Sequence, residues 1–336
     1  MDAADKSAGI DRQTVGFGLI LGAMAAFATW DQWAVWSTKE DYTFGYLVPA
    51  LAAYVFWDRW EPLRAELTGP DDDGPPAPGW AVTTAYLLAF VSLATFALGA
   101  AGRAVFGTGP VPTLAIAFGL AGAGLCFAYL SPRGAGGAEP AASSRRRCLG
   151  LLTFPTCVWI ISGPFLYLVD NRVKGGLLTL VTEVVSGILR ASGHVIRTSG
   201  NTIVFANNDA VGVADACSGI RSLSACVFAA AFLGAVFIEG GRWGALVRKT
   251  ALIAAAGLVA VLLNLGRNVF LATHALEHGS KSLDLDLQGV AHGMPGFSWL
   301  GTVHDLAGNV AMALALLLLV AFVPLLNRLG RPSAQR

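Results

Sequence analysis

Val213-Ala214-Asp215-Ala216-Cys217-Ser218-Gly219-Ile220-Arg221-Ser222-Leu223 is a short polar passage at the mouth of an apolar run covering 220–238. A thiol, a glycine and a guanidinium fall within five residues, where the chain enters a stretch long enough to cross a bilayer. A thiolate is reactive near neutral pH only beside positive charge or an oriented helix N-terminus. Cys217 has Arg221 one turn on and the first amides of the expected helix beside it. Cysteine is also often a small buried apolar residue, and Cys126, Cys148, Cys157 and Cys226 are read that way. Cys217 differs in having polar neighbours and a place at a helix start.

The whole chain fits that entry point. Of its 336 residues, 54% are hydrophobic and 13% charged, about half the charge of an average soluble protein. An all-α polytopic membrane protein is expected, with the lipid bilayer as its surroundings. A formal net charge of +1 gives no argument for nucleic acid or an acidic ligand. The five cysteines form no Cys-x-x-Cys pair, so neither a disulfide framework nor a zinc ribbon is indicated, and no cofactor is expected. The first apolar run is followed by Trp30, Trp33 and Trp36 instead of a small-residue cleavage site. It reads as a first span with an interfacial aromatic belt, not a cleaved leader.

Hydropathy gives about eight spans in a single transmembrane domain over 1–330, followed by a tail at 331–336. The spans lie near 15–36, 45–57, 80–100, 111–130, 149–169, 220–238, 246–273 and 303–326. With the N-terminus inside, fourteen of the 23 lysines and arginines fall on cytoplasmic segments and nine outside. That bias favours a plasma (inner) membrane protein with both termini cytoplasmic. The inner loops 68–78 and 131–147 read as disorder-prone linkers. The outer loop 170–216 is too long to lack structure. Leu177, Leu180, Val181, Val184, Val185, Ile188 and Leu189 have near-helical spacing, which predicts an amphipathic helix. His194-Val195-Ile196-Arg197 and Thr202-Ile203-Val204-Phe205 flank Thr198-Ser199-Gly200-Asn201, which predicts a β-hairpin. Val211-Gly212-Val213 is a candidate third strand leading to Cys217.

Two further blocks carry polar groups in apolar surroundings. Asn264 and Asn268 stand at i and i+4 with Arg267 between them, a polar stripe along one helix face. A charge at that depth must be paired or face water, unless its long stem snorkels to the headgroups. His304 begins the last span, and Asp305 beside it suits a helix N-cap. On this topology Cys217, Arg267 and His304 lie toward the extracytoplasmic face.

The three blocks resemble the exosortase and archaeosortase family of membrane cysteine transpeptidases. Ala216-Cys217-Ser218-Gly219-Ile220-Arg221-Ser222-Leu223 carries the likeness first. Asn264-Leu265-Gly266-Arg267-Asn268 looks like the family's Asn-x-x-Arg block, and His304-Asp305-Leu306-Ala307-Gly308 like its His-x-x-x-Gly block. The resemblance implies a cysteine protease or transpeptidase for protein sorting, a hydrolase of the thiol type, with Cys217, Arg267 and His304 catalytic. Ser218, Arg221, Asn264, Asn268 and Asp305 would bind substrate or support the site, and no metal is implied. It also implies secreted substrates with a C-terminal signal: a Pro-Glu-Pro-like motif, a transmembrane helix and a basic tail. The acceptor nucleophile stays open. His292-Gly293-Met294-Pro295-Gly296 fits His-x-x-x-Gly as well, so His292 is a second candidate for the histidine.

Two rival readings exist. His274-Ala275-Leu276-Glu277-His278 spells H-x-x-E-H, a zinc-protease signature; on a helix the two histidines share a face. A transporter would also place Arg267 and Asn264 within a span, although no inverted repeat or paired broken helix supports it.

Overall fold

The structure, a computed structural model, describes residues 10–68, 74–133, 139–212, 219–238 and 242–329. Among them are ten α-helices and one three-stranded sheet. The chain divides into two compact units, Met1–Leu168 and Val169–Arg336.

In the first unit, α1 (Arg12–Thr38) starts at Asp11, whose carboxylate accepts the amides of Gln13 at 3.2 Å and Thr14 at 3.1 Å. That is the ordinary remedy for unpaired first-turn amides. A 3-10 helix (Glu40–Leu47) leads into α2 (Val48–Asp58) and α3 (Trp60–Leu67). α4 (Gly79–Phe106) and α5 (Pro110–Leu130) form a close antiparallel pair turned at Gly107, φ +75°. Small residues set their spacing. A Cβ on Gly119 would lie 2.6 Å from the backbone nitrogen of Phe96, and one on Gly99 2.8 Å from that of Ile116. Membrane helices pack closest where such residues face each other. α6 (Ala142–Ser162) completes the unit.

Six helices among the described residues are long and apolar enough to cross a membrane: α1, α4, α5, and α8 to α10 described below. Hydropathy led us to expect eight. The expected 45–57 span is a 3-10 turn followed by an eleven-residue helix, about 17 Å long. The expected 149–169 span is divided at Gly163 and Pro164; proline has no amide to continue a helix and disfavours helical backbone before it. Yet α6 shares its two ends with α1. Near its start Arg147 pairs with Glu66 of α3, while Arg133 pairs with Asp11 at 2.6 Å and its amide reaches the Glu66 carbonyl. At its far end Ser162 donates to Gln32 at 2.7 Å, Gln32 donates to the Trp159 carbonyl at 2.9 Å, and Trp36 donates to the Ser162 carbonyl at 3.1 Å. α1 and α6 therefore run in the same direction between the same two levels.

The 131–147 loop also needs correction. α6 already begins at Ala142, Arg145 donates to the Tyr129 carbonyl at 2.6 Å, and Arg147 holds Glu66. The arginines that looked solvated have carbonyl and carboxylate acceptors far along the chain. Residues 69–73 and 134–138, in the two inner loops, lie outside the described residues.

The unit also buries an ion pair. Asp31 of α1 is wholly inaccessible and stands 2.8 Å from Arg103 of α4, whose guanidinium lies over the Trp30 ring, 4.1 Å from its centroid. Removing one partner of such a pair strands a charge in an apolar setting, which costs roughly 3–5 kcal/mol. Arg103→Ala is expected to lower the thermal midpoint of the detergent-solubilised protein accordingly. Asp31→Asn combined with Arg103→Met should recover more than half of the loss, and an equally unstable double variant would count against this account.

In the second unit, the stretch after Val169 continues α7 (Phe165–Ala191). Leu178, Val181, Val185 and Leu189 pack against Ile196, Ile203 and Phe205 of the sheet and against Leu271, Ala272 and Ala275. The sheet is the expected hairpin with its third strand: β1 (Ile196–Ser199), β2 (Thr202–Phe205) and β3 (Ala210–Gly212), antiparallel in that order. α8 (Ile220–Phe237), α9 (Arg242–His278) and α10 (Val303–Leu329) pack around Cys226, Ala230, Leu252, Ala256, Ala260 and Leu319.

Candidate active site

Cys217 and Ser218 lie outside the described residues. Their neighbour Gly219 is described and tightly constrained. It precedes α8 with φ +84°, a left-handed conformation that costs any L side chain strain. A Cβ there would also lie 2.7 Å from Nδ2 of Asn264. Gly219 is thus required twice, once by its backbone and once by the amide pressed against it. Its carbonyl accepts the Leu223 amide at 2.8 Å and the Ser222 hydroxyl at 2.9 Å, closing the first turn of α8.

α9 supplies the polar stripe that its sequence predicts. Asn264 and Asn268 are both buried, and Nδ2 of Asn268 donates to the Asn264 carbonyl at 2.8 Å. Arg267, between them, turns toward α10. A Cβ on Gly308 would lie 3.5 Å from Cζ and Nη2 of Arg267 and 3.6 Å from Nε. The guanidinium therefore lies flat across the one position of α10 with no side chain. It does not snorkel. Its Nε is buried and has no hydrogen-bond partner among the described residues. A cavity of about 30 Å³ lies beside it, lined by Ser222, Asn264, Arg267, Gly308 and Met312 among others.

His304 stands one helical turn before Gly308, on the same face of α10. It is half-buried and close enough to Arg267 for their charges to interact. A second cavity, about 40 Å³, is bordered by His304, Asn268, Ile203, Val211 and Gly212. One strip between α8, α9 and α10 thus gathers Ser222, Asn264, Arg267, Asn268 and His304, with β3 at its edge.

The remaining candidates separate. Arg221 is exposed on the first turn of α8. Asp305 forms a reciprocal cap: Oδ2 accepts the Thr302 amide at 3.1 Å and hydroxyl at 2.8 Å, and the Thr302 hydroxyl accepts the Asp305 amide at 3.1 Å. His292 is exposed in the α9–α10 loop, its ring edge-on to Phe297. His274 and His278 stack at 4.5 Å, and His278 Nδ1 lies 3.2 Å from the His274 carbonyl, while Glu277 is exposed. Among the described residues no three or more His, Cys, Asp or Glu side chains gather as a metal site.

The loop before His304 is organised by a carboxylate that the sequence reading passed over. Asp286 is buried; Oδ1 accepts the amides of Gln288 at 2.9 Å and Val290 at 2.8 Å, and Oδ2 that of Ser298 at 2.8 Å. The Val303 amide then donates to the Leu285 carbonyl at 2.9 Å. Asp-Leu-Gln-Gly is a turn signature that would have revealed the local part of this knot, but not its reach to Ser298.

Fold and strip define the class: a polytopic membrane protein with buried amides and a half-buried guanidinium and imidazole between spanning helices. A family model described as transmembrane exosortase (Exosortase_EpsH) matches residues 36–321. The chain belongs to that family, and its activity is of the membrane transpeptidase or protease kind. Searches of curated proteins and of solved structures give no match.

Two outcomes are expected from this geometry. Gly219→Ala combines left-handed strain with a clash against Asn264 and should cost at least about 2 kcal/mol, read as a lowered unfolding midpoint; wild-type stability would contradict the packing. The amide donors of Val290, Ser298, Gln288 and Gly289, Val290 foremost, hold the Asp286 carboxyl below its ordinary range, with burial opposing them. Its contribution to stability is present above the unfolded value of about 4 and is lost as pH falls through the lower folded value. Amide exchange at Val290 and Ser298 should therefore stay slow to mildly acidic pH and speed up below it. Asp286→Asn should exchange fast throughout.

Proposed function

We propose that the protein is a cysteine transpeptidase that cleaves a C-terminal sorting signal from secreted proteins at the extracytoplasmic membrane face. The observation that carries this reading is the strip itself: a half-buried Arg267 lying over Gly308, and a half-buried His304 one helical turn before that glycine, with Asn264 and Asn268 beside them. A guanidinium bordering a small cavity near a titratable ring suits an oxyanion that forms only during reaction. Covalent geometry supports the cysteine's part. Two residues reach at most about 7 Å, so Cys217 cannot be far from Gly219, which is itself packed on Asn264.

In this mechanism His304 takes the proton from the Cys217 thiol, and the thiolate attacks the scissile carbonyl. The carbonyl oxygen becomes an oxyanion, stabilised by Arg267. The tetrahedral adduct collapses to a thioester; the leaving amine takes the proton back from His304 and departs with the C-terminal signal. An amine acceptor or water then attacks the thioester, regenerating the thiol. Arg221, exposed near the same helix start, is placed to favour the thiolate or to meet the substrate. Asn264 and Asn268 are supporting residues, and Asp305 is a cap.

We place the site outside and both termini in the cytoplasm, on the loop charges. The shared ends of α1 and α6 support α6 as a seventh crossing beyond the six that length and composition alone select. The return from Gly45, packed on Trp36, to Glu66, paired with Arg147, supports 45–57 as the eighth. The substrate we infer is a secreted protein ending in a Pro-Glu-Pro-like motif, a transmembrane helix and a basic tail.

Cys217→Ala, His304→Ala and Arg267→Lys proteins should insert and fold like wild type. They should process a co-expressed substrate at least about 100-fold more slowly; normal processing by Cys217→Ala ends the thioester mechanism. Chelation should leave processing unchanged, whereas activity lost to a chelator and restored by zinc would favour the His274–His278 pair. For topology, Ser280 is a poor reporter because its hydroxyl is engaged by Asp209. Trp299 is 92% exposed, so Trp299→Cys should react with an impermeant maleimide added to intact cells; protection there would reverse the orientation.

A further inference from the structure

We propose that Asp209 is a positioning residue of the active centre: it fastens the β2–β3 turn to the corner where α9 ends, and so holds β3 against His304. This inference rests on the reading of Cys217 as the nucleophile.

The turn is built to aim one carboxylate. Asn208 takes a left-handed conformation, φ 63°, and the Asn207 side-chain oxygen accepts the Asp209 amide at 3.0 Å. The Asp209 carbonyl accepts the Phe205 amide at 2.8 Å, keeping the turn in register with β2. The carboxylate then collects three donors. Oδ1 accepts the Ser280 hydroxyl at 2.6 Å and the Ala210 amide at 2.9 Å, while Oδ2 accepts the Ser280 amide at 2.6 Å. The receiving corner is equally specific. Gly279, φ +83°, ends α9 by donating to the Ala275 carbonyl at 2.8 Å, and a Cβ there would lie 3.7 Å from Asp209 Oδ2.

Every group facing that carboxylate is a donor, and Lys281 adds positive charge nearby. The Ser280 hydroxyl, the strongest of these influences, keeps the carboxyl below its ordinary range. An amide could not replace it, because its NH₂ would meet another donor. Charge-assisted bonds are roughly twice as strong as neutral ones, and this set spans 71 residues of chain.

The tie matters because β3 leads toward the nucleophile. Val211 and Gly212 border the same 40 Å³ cavity as His304 and Asn268. Cys217 is five residues beyond Gly212, a reach of no more than about 18 Å. The described residues on either side of Cys217 are thus both held, Gly212 by Asp209 through β3 and Gly219 by its packing on Asn264. Releasing one end leaves the helices intact and loosens the thiol's placement against the imidazole, where displacements near 1 Å cost up to about 100-fold.

The test is the rate at which iodoacetamide alkylates Cys217 in the full-length protein in detergent, followed against pH by mass spectrometry of the Cys217 peptide. Wild type should alkylate with a midpoint below the ordinary thiol value of about 8.5. Asp209→Asn and Asp209→Ala should raise that midpoint and slow alkylation at pH 7 by about tenfold, with the thermal midpoint within a few degrees of wild type. Asp209→Glu should restore part of the rate, an effect that mere loss of fold would not produce. Should Asp209→Ala fail to fold, Ser280→Ala, which removes one of the three donors, should show the same upward shift at about threefold. A reactive wild-type Cys217 with unchanged rate and midpoint in the foldable variants overturns the positioning role alone. A wild-type Cys217 that titrates like a free thiol overturns the nucleophile reading and this inference with it.

Discussion

A guanidinium held between apolar helices is the demand that the second unit is shaped to meet. Arginine stays charged under any condition the protein meets, so Arg267 cannot escape the low-dielectric interior by losing its proton. It needs room, polar neighbours and something anionic, at least at times. Room comes from Gly308, over which the guanidinium lies. Polar neighbours come from Asn264 and Asn268, one turn apart on the same face of α9. Small Ala311 and Ala315 continue the α10 face and border the cavity beside the arginine. Gly219 is a consequence of the same arrangement, since the Asn264 amide occupies the space a side chain would need.

The first unit also buries polarity, and does so with ion pairs and hydrogen bonds between its own helices. Asp31 has Arg103 for a counter-ion, and Gln32, Ser162 and Trp36 close a chain of hydrogen bonds with backbone carbonyls. Glu66 takes Arg147 and Ser144. These are self-contained locks: each charge faces a partner, and the cost of leaving water is offset within the fold. Arg267 differs in bordering a cavity, with Ser222 and Asn264 as polar neighbours there.

Local patterns were legible in the sequence and distant pairings were not. The β-hairpin and its third strand stood out because alternation and a glycine-containing turn are encoded within ten residues. The polar stripe of α9 stood out because i, i+3 and i+4 spacing survives any packing. The helix at 177–189 was legible as a helix, but its buried face was not. The structure buries Leu178, Thr182 and Ser186 along with Val181, Val185 and Leu189, and leaves Leu180 and Ile188 exposed. Hydrophobicity misleads there because lipid and protein both accept apolar side chains, so burial in the fold no longer follows polarity. Arg145 and Arg147 looked solvated for the complementary reason: their acceptors at Tyr129 and Glu66 come from other helices. The 149–169 run read as one span because apolar composition hides the break at Gly163 and Pro164.

The two cavities along the strip give Arg267 and His304 small polar spaces to border. A water needs roughly 10–15 Å³ of such space and two or more polar partners. The 30 Å³ cavity meets both conditions through Ser222, Asn264 and Arg267, and the 40 Å³ cavity through Asn268 and His304. A permanent carboxylate would neutralise the guanidinium and compete with any oxyanion, whereas a water yields its place to a stronger acceptor. On the proposed mechanism, the same logic bears on the outcome of the thioester. Water that fits beside His304 is a nucleophile at hand, so transfer to an amine requires the bound acceptor to displace it before the imidazole can activate it. On the proposed mechanism the balance between hydrolysis and transpeptidation would be set by occupancy of the cavity that β3, Asn268 and His304 border. The residues that fix β3 would then govern the product as well as the rate.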